Sequence, residues 1–194
     1  KPLADGREFR RPTPTYKVEG ETLVGPEGVA KLELKLPGRA NRGNAAQAIA
    51  AAVEAFGVPL DAAVHAAAEV DNVAGRYTTV HLGERDVHLL LAKNPAGWQE
   101  ALSMVDRDAD GVVIAVNAQQ GDGEDVSWLW DVKFEDFGDT HVVAAGERAT
   151  DLAVRLTYGG IDHDVVHDPI AAIRACPPGR VEVLANYTAL LNPV

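Results

Sequence analysis

Residues 111–136 read GVVIAVNAQQGDGEDVSWLWDVKFED, and the junction inside them decides the fold. Gly111-Val-Val-Ile-Ala-Val-Asn117 is an unbroken apolar run of strand length with β-branched residues. Such a run marks a strand buried on both faces in a parallel sheet. The segment Gly121–Asp136 then holds two of the chain's three tryptophans and six carboxylates within sixteen residues. It reads as the loop leaving the carboxyl end of that strand, the edge of an open α/β sheet where ligands and partners are met.

The alternation inside this segment predicts that Val126, Trp128, Leu129 and Trp130 anchor it on the body of the domain and hold Asp125 and Asp131 at the rim. A fixed carboxylate can orient a histidine by accepting its ring N–H, the third role in a nucleophile–His–acid triad. The chain offers no nucleophile to go with it, so on this reading the histidine belongs to another protein. The same residues also read as an acidic surface loop with tryptophans in the core. Either aspartate can turn outward. Asp131 follows the second tryptophan and also suits a cap on the next turn, which favours Asp125.

Outward from this junction, strands alternate with helices. Strands are expected at 77–82 and 86–92, a helix at 96–105, then the strand 111–116. After the acidic segment come a strand at 141–145, a helix at 150–158, a strand near 164–167, a helix at 169–175 and a strand at 180–185. This βαβ alternation predicts an α/β fold: a mainly parallel sheet with helices on both faces and an antiparallel strand or hairpin at one edge. Towards the amino end, residues 1–14 read as an exposed lead-in. Tyr16–Glu19 and Thr22–Val24 flank Gly20 as a hairpin, and Ala30–Leu36 alternates as a half-buried strand. A helix over 44–56 is stopped by Gly57, and a second covers 59–70. Both helices are apolar over much of their surface, so something is expected to cover them. The boundary between the two regions falls near Asn72–Arg76, giving domains at 1–75 and 76–194.

Composition narrows the function. An apolar fraction of 46% over 194 residues supports a packed core, and a net charge of −11 speaks against nucleic acid and anionic membrane as main partners. A single cysteine, Cys176, allows no internal disulfide and no CxxC zinc site. No apolar run approaches the roughly 20 residues that span a bilayer, and the start does not read as a signal peptide.

Several smaller motifs have ordinary explanations beside their functional ones. Asp106-Arg-Asp-Ala-Asp-Gly111 copies the opening of a calcium loop, but its twelfth position is Asn117 rather than Glu, and a charged turn before a strand explains it better. His163-Asp-Val-Val-His167-Asp168 could gather metal ligands, but the run alternates faces of a strand and no further ligand is evident, and Cys176 reads as buried filler. No metal site is expected. The chain carries no GxxxxGK[ST] or GxGxxG phosphate cradle. Asn41 and Asn44 stand at a helix start after Pro37-Gly38, where free N–H groups favour an anion, and Arg76 follows a glycine at the boundary. Each is also a plain cap or surface residue. Lys93-Asn94 closes a strand and opens a helix on the same rim as the acidic segment.

Taken together, these stretches resemble the C-terminal part of the Mur ligase family, and within it the MurT-like synthetase subunits. The resemblance rests on Pro37-Gly-Arg-Ala-Asn-Arg-Gly-Asn44 with its alanine-rich helix, Val73-Ala-Gly-Arg76, Leu91-Ala-Lys-Asn-Pro-Ala-Gly97, Asp122-Gly-Glu-Asp-Val-Ser-Trp-Leu-Trp-Asp131 and Asn186-Tyr-Thr-Ala-Leu-Leu191. It runs from about residue 10 to the end. It implies a Rossmann-like C-terminal domain over 76–194, preceded over 1–75 by a small β/α remnant of the central ATPase domain.

The resemblance further implies an ATP-dependent carbon–nitrogen ligase subunit. Such a subunit pairs with a GatD-type class I glutamine amidotransferase and amidates the D-glutamate α-carboxylate of the lipid II stem peptide to D-isoglutamine, in peptidoglycan synthesis at the inner face of the cytoplasmic membrane. Asp125 matches the acid that completes the partner's Cys–His pair. Asn41, Asn44 and Arg76 match positions near ATP, and Lys93 and Asn94 match a loop that reaches the substrate. ATP and Mg²⁺ belong to the complete subunit, whose P-loop and four-cysteine ribbon are not in this sequence, so this chain alone is expected to bind no cofactor and to show no synthetase activity. A non-catalytic module that docks on an amidotransferase and regulates it is the alternative, and a stand-alone small-molecule domain a third.

Overall fold

A computed structural model of the chain describes residues 14–72, 77–120, 123–135, 137 and 140–191. It divides into two compact units between Asp71 and Asn72. Val73-Ala-Gly-Arg76 lies outside the described residues, so the expected boundary there, and Arg76 with it, has no structural account.

In the first unit, β1 (Lys17–Glu19), β2 (Thr22–Gly25) and β3 (Gly28–Lys31) form an antiparallel meander. The strand expected at 30–36 is shorter and earlier than its alternation suggested. β2 begins at Thr22, opposite Lys31, and after the bond from Leu32 N–H to the Glu21 carbonyl no neighbouring strand of this sheet runs alongside. α1 (Arg39–Phe56) starts five residues before the expected Asn44, because Gly38 at φ 94° turns the chain directly into residues of fair helix propensity. Gly57 ends it at φ 66°, with Gly57 N–H on the Val53 carbonyl and Val58 N–H on that of Ala52, a Schellman closure. α2 (Leu60–Ala68) follows. Leu23, Leu32, Ala46, Ile49 and Ala63 make a small core, while Val29, Phe56 and Val70 remain exposed.

The second unit is built on a six-stranded sheet, with the elements β4 (Tyr77–Leu82), β5 (Arg85–Leu91), α3 (Pro95–Met104), β6 (Gly111–Ala115), β7 (Val142–Ala145), α4 (Ala149–Tyr158), β8 (His163–Val165), α5 (Pro169–Ala175), β9 (Gly179–Ala185) and α6 (Tyr187–Leu191). The strand order is β4-β5-β9-β6-β7-β8, and only the β4–β5 pair is antiparallel. The last strand thus inserts at the centre, where Leu89, Val183 and Val113 stand in register across β5, β9 and β6.

Every residue of β6 is buried, as its unbroken apolar run requires. Leu90, Val112, Ile114 and Leu184 point to the face covered by α3 and α4, where Trp98, Leu152 and Leu156 meet them. Val87, Val113, Val181 and Val183 point to the opposite face, against Ala172, Ile173 and Ala189 from α5 and α6. Helices on both faces of a mainly parallel sheet are what the βαβ alternation predicts. Each fully buried leucine or valine contributes about 1.5–3 kcal/mol.

Candidate functional site

The acidic segment departs from its expected form. Ser127–Asp131 is a 3-10 helix lying between α3 and α4. Three residues per turn bring 126, 129 and 132 onto one line, and these are the residues turned inward: Leu129 and Val132 are buried and Val126 packs on the core. Trp128 is half-buried, its ring stacked on Trp98 with centroids 5.4 Å apart. Trp130 falls on the outer line and is 56% exposed. The expectation that Trp130 anchors the segment is therefore corrected, since a repeat of three replaces the assumed alternation.

What fastens the segment is a residue that the sequence reading passed over. Arg155 is buried on the sheet-facing stripe of α4, beside Leu152 and Leu156. Its Nε donates to the Leu129 carbonyl at 3.3 Å, and its Nη2 donates to the Val132 carbonyl at 2.7 Å and to the Glu135 carboxylate at 2.6 Å. The guanidinium also lies 5.8 Å from the Trp130 ring centroid and 5.5 Å from that of Phe134. Burial acts to raise the Glu135 carboxyl, but the hydrogen bond and charge of Arg155, helped by the backbone and Lys133, outweigh it and the net direction is down. The only signal in the sequence was partial: an arginine at the buried phase of an amphipathic helix needs acceptors, but nothing local says that they lie on a segment more than twenty residues away.

Asp125 stands just before this helix, exposed, with its carboxylate accepting the Ser127 N–H at 2.8 Å. That bond, with the Ser127 side chain, holds its pKa below the usual carboxylate value. The group is ionised at neutral pH, and a carboxylate has room for further donors. Asp131, at the other end, is also exposed.

A second group gathers at the carboxyl edge of the sheet. Buried Asn186, after β9, receives the Asn117 N–H at 3.0 Å and donates its amide to the Asn117 carbonyl at 2.6 Å, while the Asn117 side chain accepts the Glu147 N–H at 2.9 Å. The ends of β6, β7 and β9 are thereby tied together. Gly146, at φ 89°, admits the close turn, since a Cβ there would fall on the Val116 carbonyl. Lys93 is exposed at this edge, with Nζ 5.2 Å from the Tyr187 ring centroid. Asn94 is the N-cap of α3, its Oδ1 accepting the Gly97 N–H at 2.9 Å.

Asn41 and Asn44 lie within the first turns of α1 rather than at its cap, and the Asn41 amide donates to the Pro37 carbonyl at 2.6 Å. A cavity of about 550 Å³, lined by Gln99, Asp106, Arg107, Lys133 and Phe134 among others, opens at the amino end of the sheet, away from Lys93 and Asn117.

Residues 91–190 match the family model described as MurT ligase C-terminal. The chain is 31% identical over 131 residues to the lipid II isoglutaminyl synthase (glutamine-hydrolyzing) subunit MurT of Streptococcus pneumoniae (strain ATCC BAA-255 / R6). That match covers 62% of this chain and 29% of the relative, so the chain spans under a third of the longer protein. Among solved structures, MurF from Acinetobacter baumannii is similar at 19% identity with a TM-score of 0.61, covering 91% of this chain and 42% of that one. A pseudomurein peptide ligase type C from Methanothermus fervidus is similar at 15% identity with the same TM-score of 0.61, covering 97% of this chain and 42% of that one. At those identities the likeness is one of fold, a Mur ligase fold. The family model covers more than half of the sequence, and on that match the chain belongs to the MurT ligase C-terminal family.

Proposed function

We propose that the chain is the C-terminal portion of an ATP-dependent amidoligase subunit of peptidoglycan synthesis. Its residues 76–194 would be the Mur ligase C-terminal domain and residues 1–75 the end of the central ATPase domain. With a GatD-type class I glutaminase, the whole subunit would use ATP, Mg²⁺ and glutamine to convert the D-glutamate α-carboxylate of the lipid II stem peptide to D-isoglutamine. ATP supplies the activation of that carboxylate when bound in the complete protein. The portion described here contributes the carboxylate that orients the glutaminase's histidine, and the Lys93 rim that faces substrate.

One observation carries this reading. A chain of the MurT ligase C-terminal family holds an exposed, ionised Asp125 on a segment that a buried arginine fixes to the domain. An acid that orients a histidine must be charged and reachable; Asp125 is exposed, its pKa is held below the usual carboxylate value, and its bond to the Ser127 N–H ties it to the start of the 3-10 helix. No member of the described part of the chain needs to act as a nucleophile, because the partner supplies sulfur and imidazole.

The test is Asp125→Asn measured in complex with the class I glutaminase of the same organism. Glutamine hydrolysis is expected to fall by about 10⁴-fold, the loss seen when a triad Asp becomes Asn, with affinity for the glutaminase unchanged. Asp131→Asn in parallel is expected to change neither. Unaltered hydrolysis in the Asp125 variant would support a docking module that takes no part in chemistry, and a loss confined to the Asp131 variant would move the role to that residue.

A further inference from the structure

We propose that Trp130, Tyr158 and Val154 are the anchor of a docking surface for a folded protein partner offering an apolar pocket with a basic rim. The choice of that partner as the glutaminase subunit rests on the function proposed above; the surface itself rests on its own observations.

Trp130, Tyr158 and Val154 are 56%, 78% and 47% exposed. They form one patch: the Trp130 and Tyr158 rings meet edge to face with centroids 5.4 Å apart, and Val154 precedes Tyr158 by one helical turn on α4. Large side chains at a protein surface are ordinarily mobile, but here they are braced. Arg155 lies beneath Trp130 with its guanidinium held on the Leu129 and Val132 carbonyls, so the indole sits on a fixed support. Rings held in place before binding lose little freedom when a partner covers them. Tryptophan and tyrosine beside arginine are also the residue types that dominate the energetics of interfaces.

Charge selects the occupant. Between 123 and 135, Glu124, Asp125, Asp131 and Glu135 face a single base, Lys133, and the chain as a whole carries −11. The cation beneath the Trp130 ring, Arg155, is buried and bound to Glu135. The rim presented outward is acidic, which suits a basic partner and opposes a second copy of this chain.

Position links the patch to Asp125. Trp130 follows Asp125 by five residues, the last three steps of them inside the 3-10 helix, so the reach of the chain keeps their backbones within about 18 Å. A standard interface of about 800 Å² a side is about 30 Å across, wide enough for a subunit whose histidine reaches Asp125 to cover Trp130 and Tyr158 as well.

The experiment measures the affinity of the full chain for the class I glutaminase of the same organism by titration calorimetry, for the wild type and for Trp130→Ala, Tyr158→Ala and Val154→Asp. Each alanine variant is expected to raise Kd by about 10- to 30-fold. At saturating chain, glutamine hydrolysis stays at the wild-type rate, because the rings do not touch the reacting atoms. Tyr158→Ala keeps the test sound should Trp130→Ala loosen the segment, since the Tyr158 ring is mostly in solvent. An unchanged Kd for Tyr158→Ala and Val154→Asp overturns the surface. A wild-type chain that dimerises, with Tyr158→Ala monomeric by sedimentation, overturns the chosen occupant in favour of a second copy. If Asp125→Asn abolishes hydrolysis while the patch variants bind normally, the inference fails and the proposed function stands. If the wild-type chain does not bind the glutaminase at all, the proposed function fails and the choice of occupant goes with it.

Discussion

Replacing Arg155 with methionine tests whether a single guanidinium holds the acidic segment. The substitution keeps most of the aliphatic volume and removes the donors. The Val132 carbonyl, on a fully buried residue, loses its 2.7 Å bond, whereas the Leu129 carbonyl keeps the longer bond from Val132 N–H at 3.4 Å. One orphaned buried acceptor costs about 1–3 kcal/mol. Loss of the cation from the Trp130 and Phe134 rings adds about 0.5–1 kcal/mol each. Glu135, nearly half exposed, regains water and contributes little. The expected loss is about 3 kcal/mol, or a fall in Tm of about 12 °C for a unit of this size. All three tryptophans lie in the second unit, so urea unfolding followed by tryptophan fluorescence reports on that unit selectively. Arg155→Lys should recover less than half of the loss, because an ammonium cannot span two carbonyls and a carboxylate. A methionine variant within about 1 kcal/mol of wild type would refute the assignment of Arg155 as the fastening residue.

Asp125→Asn retains a side-chain acceptor for the Ser127 N–H, so its unfolding midpoint should match wild type and any loss of hydrolysis in the complex is chemical. Asn94→Ala should cost about 1 kcal/mol by calorimetry and Asn94→Ser almost nothing, as expected of the cap on Gly97; a large loss for the serine variant would mean that Asn94 does something more. Burial, partly opposed by the charge of Arg85, pushes the Cys176 thiol from 9.0 up to about 11. Thiol labelling at pH 8 should therefore be at least about 100-fold slower in the native chain than in urea. The stability that goes with this shift is complete below pH 9 and is lost as pH rises through 11; rapid native labelling would contradict the burial.

The sheet was legible wherever a strand's own residues declare its environment. Gly111–Ala115 is apolar on both faces and is buried on both, and Gly57 stops α1 where left-handed glycine should. The insertion of β9 between β5 and β6 was not legible, because pairing order is decided by which faces are covered and not by any strand's pattern. Leu32, Leu34 and Leu36 alternate as a strand does, yet they outrun the partner that begins at Thr22. At the site, the importance of Asp125 and its segment could be read from composition, but the outward turn of Trp130 depended on a helix with three residues per turn. Arg155 was missed because its value lies in carbonyls twenty-three and twenty-six residues away in sequence.

The amide pair Asn117–Asn186 has a consequence for how this molecule responds to acidity. Neither side chain gains or loses a proton between the extremes a cell meets, so the seam they make across three strand ends keeps its strength whatever the acidity. Shape and electrical potential along that margin are consequently governed by separate groups. Acidification would leave the architecture that receives a visitor there unaltered.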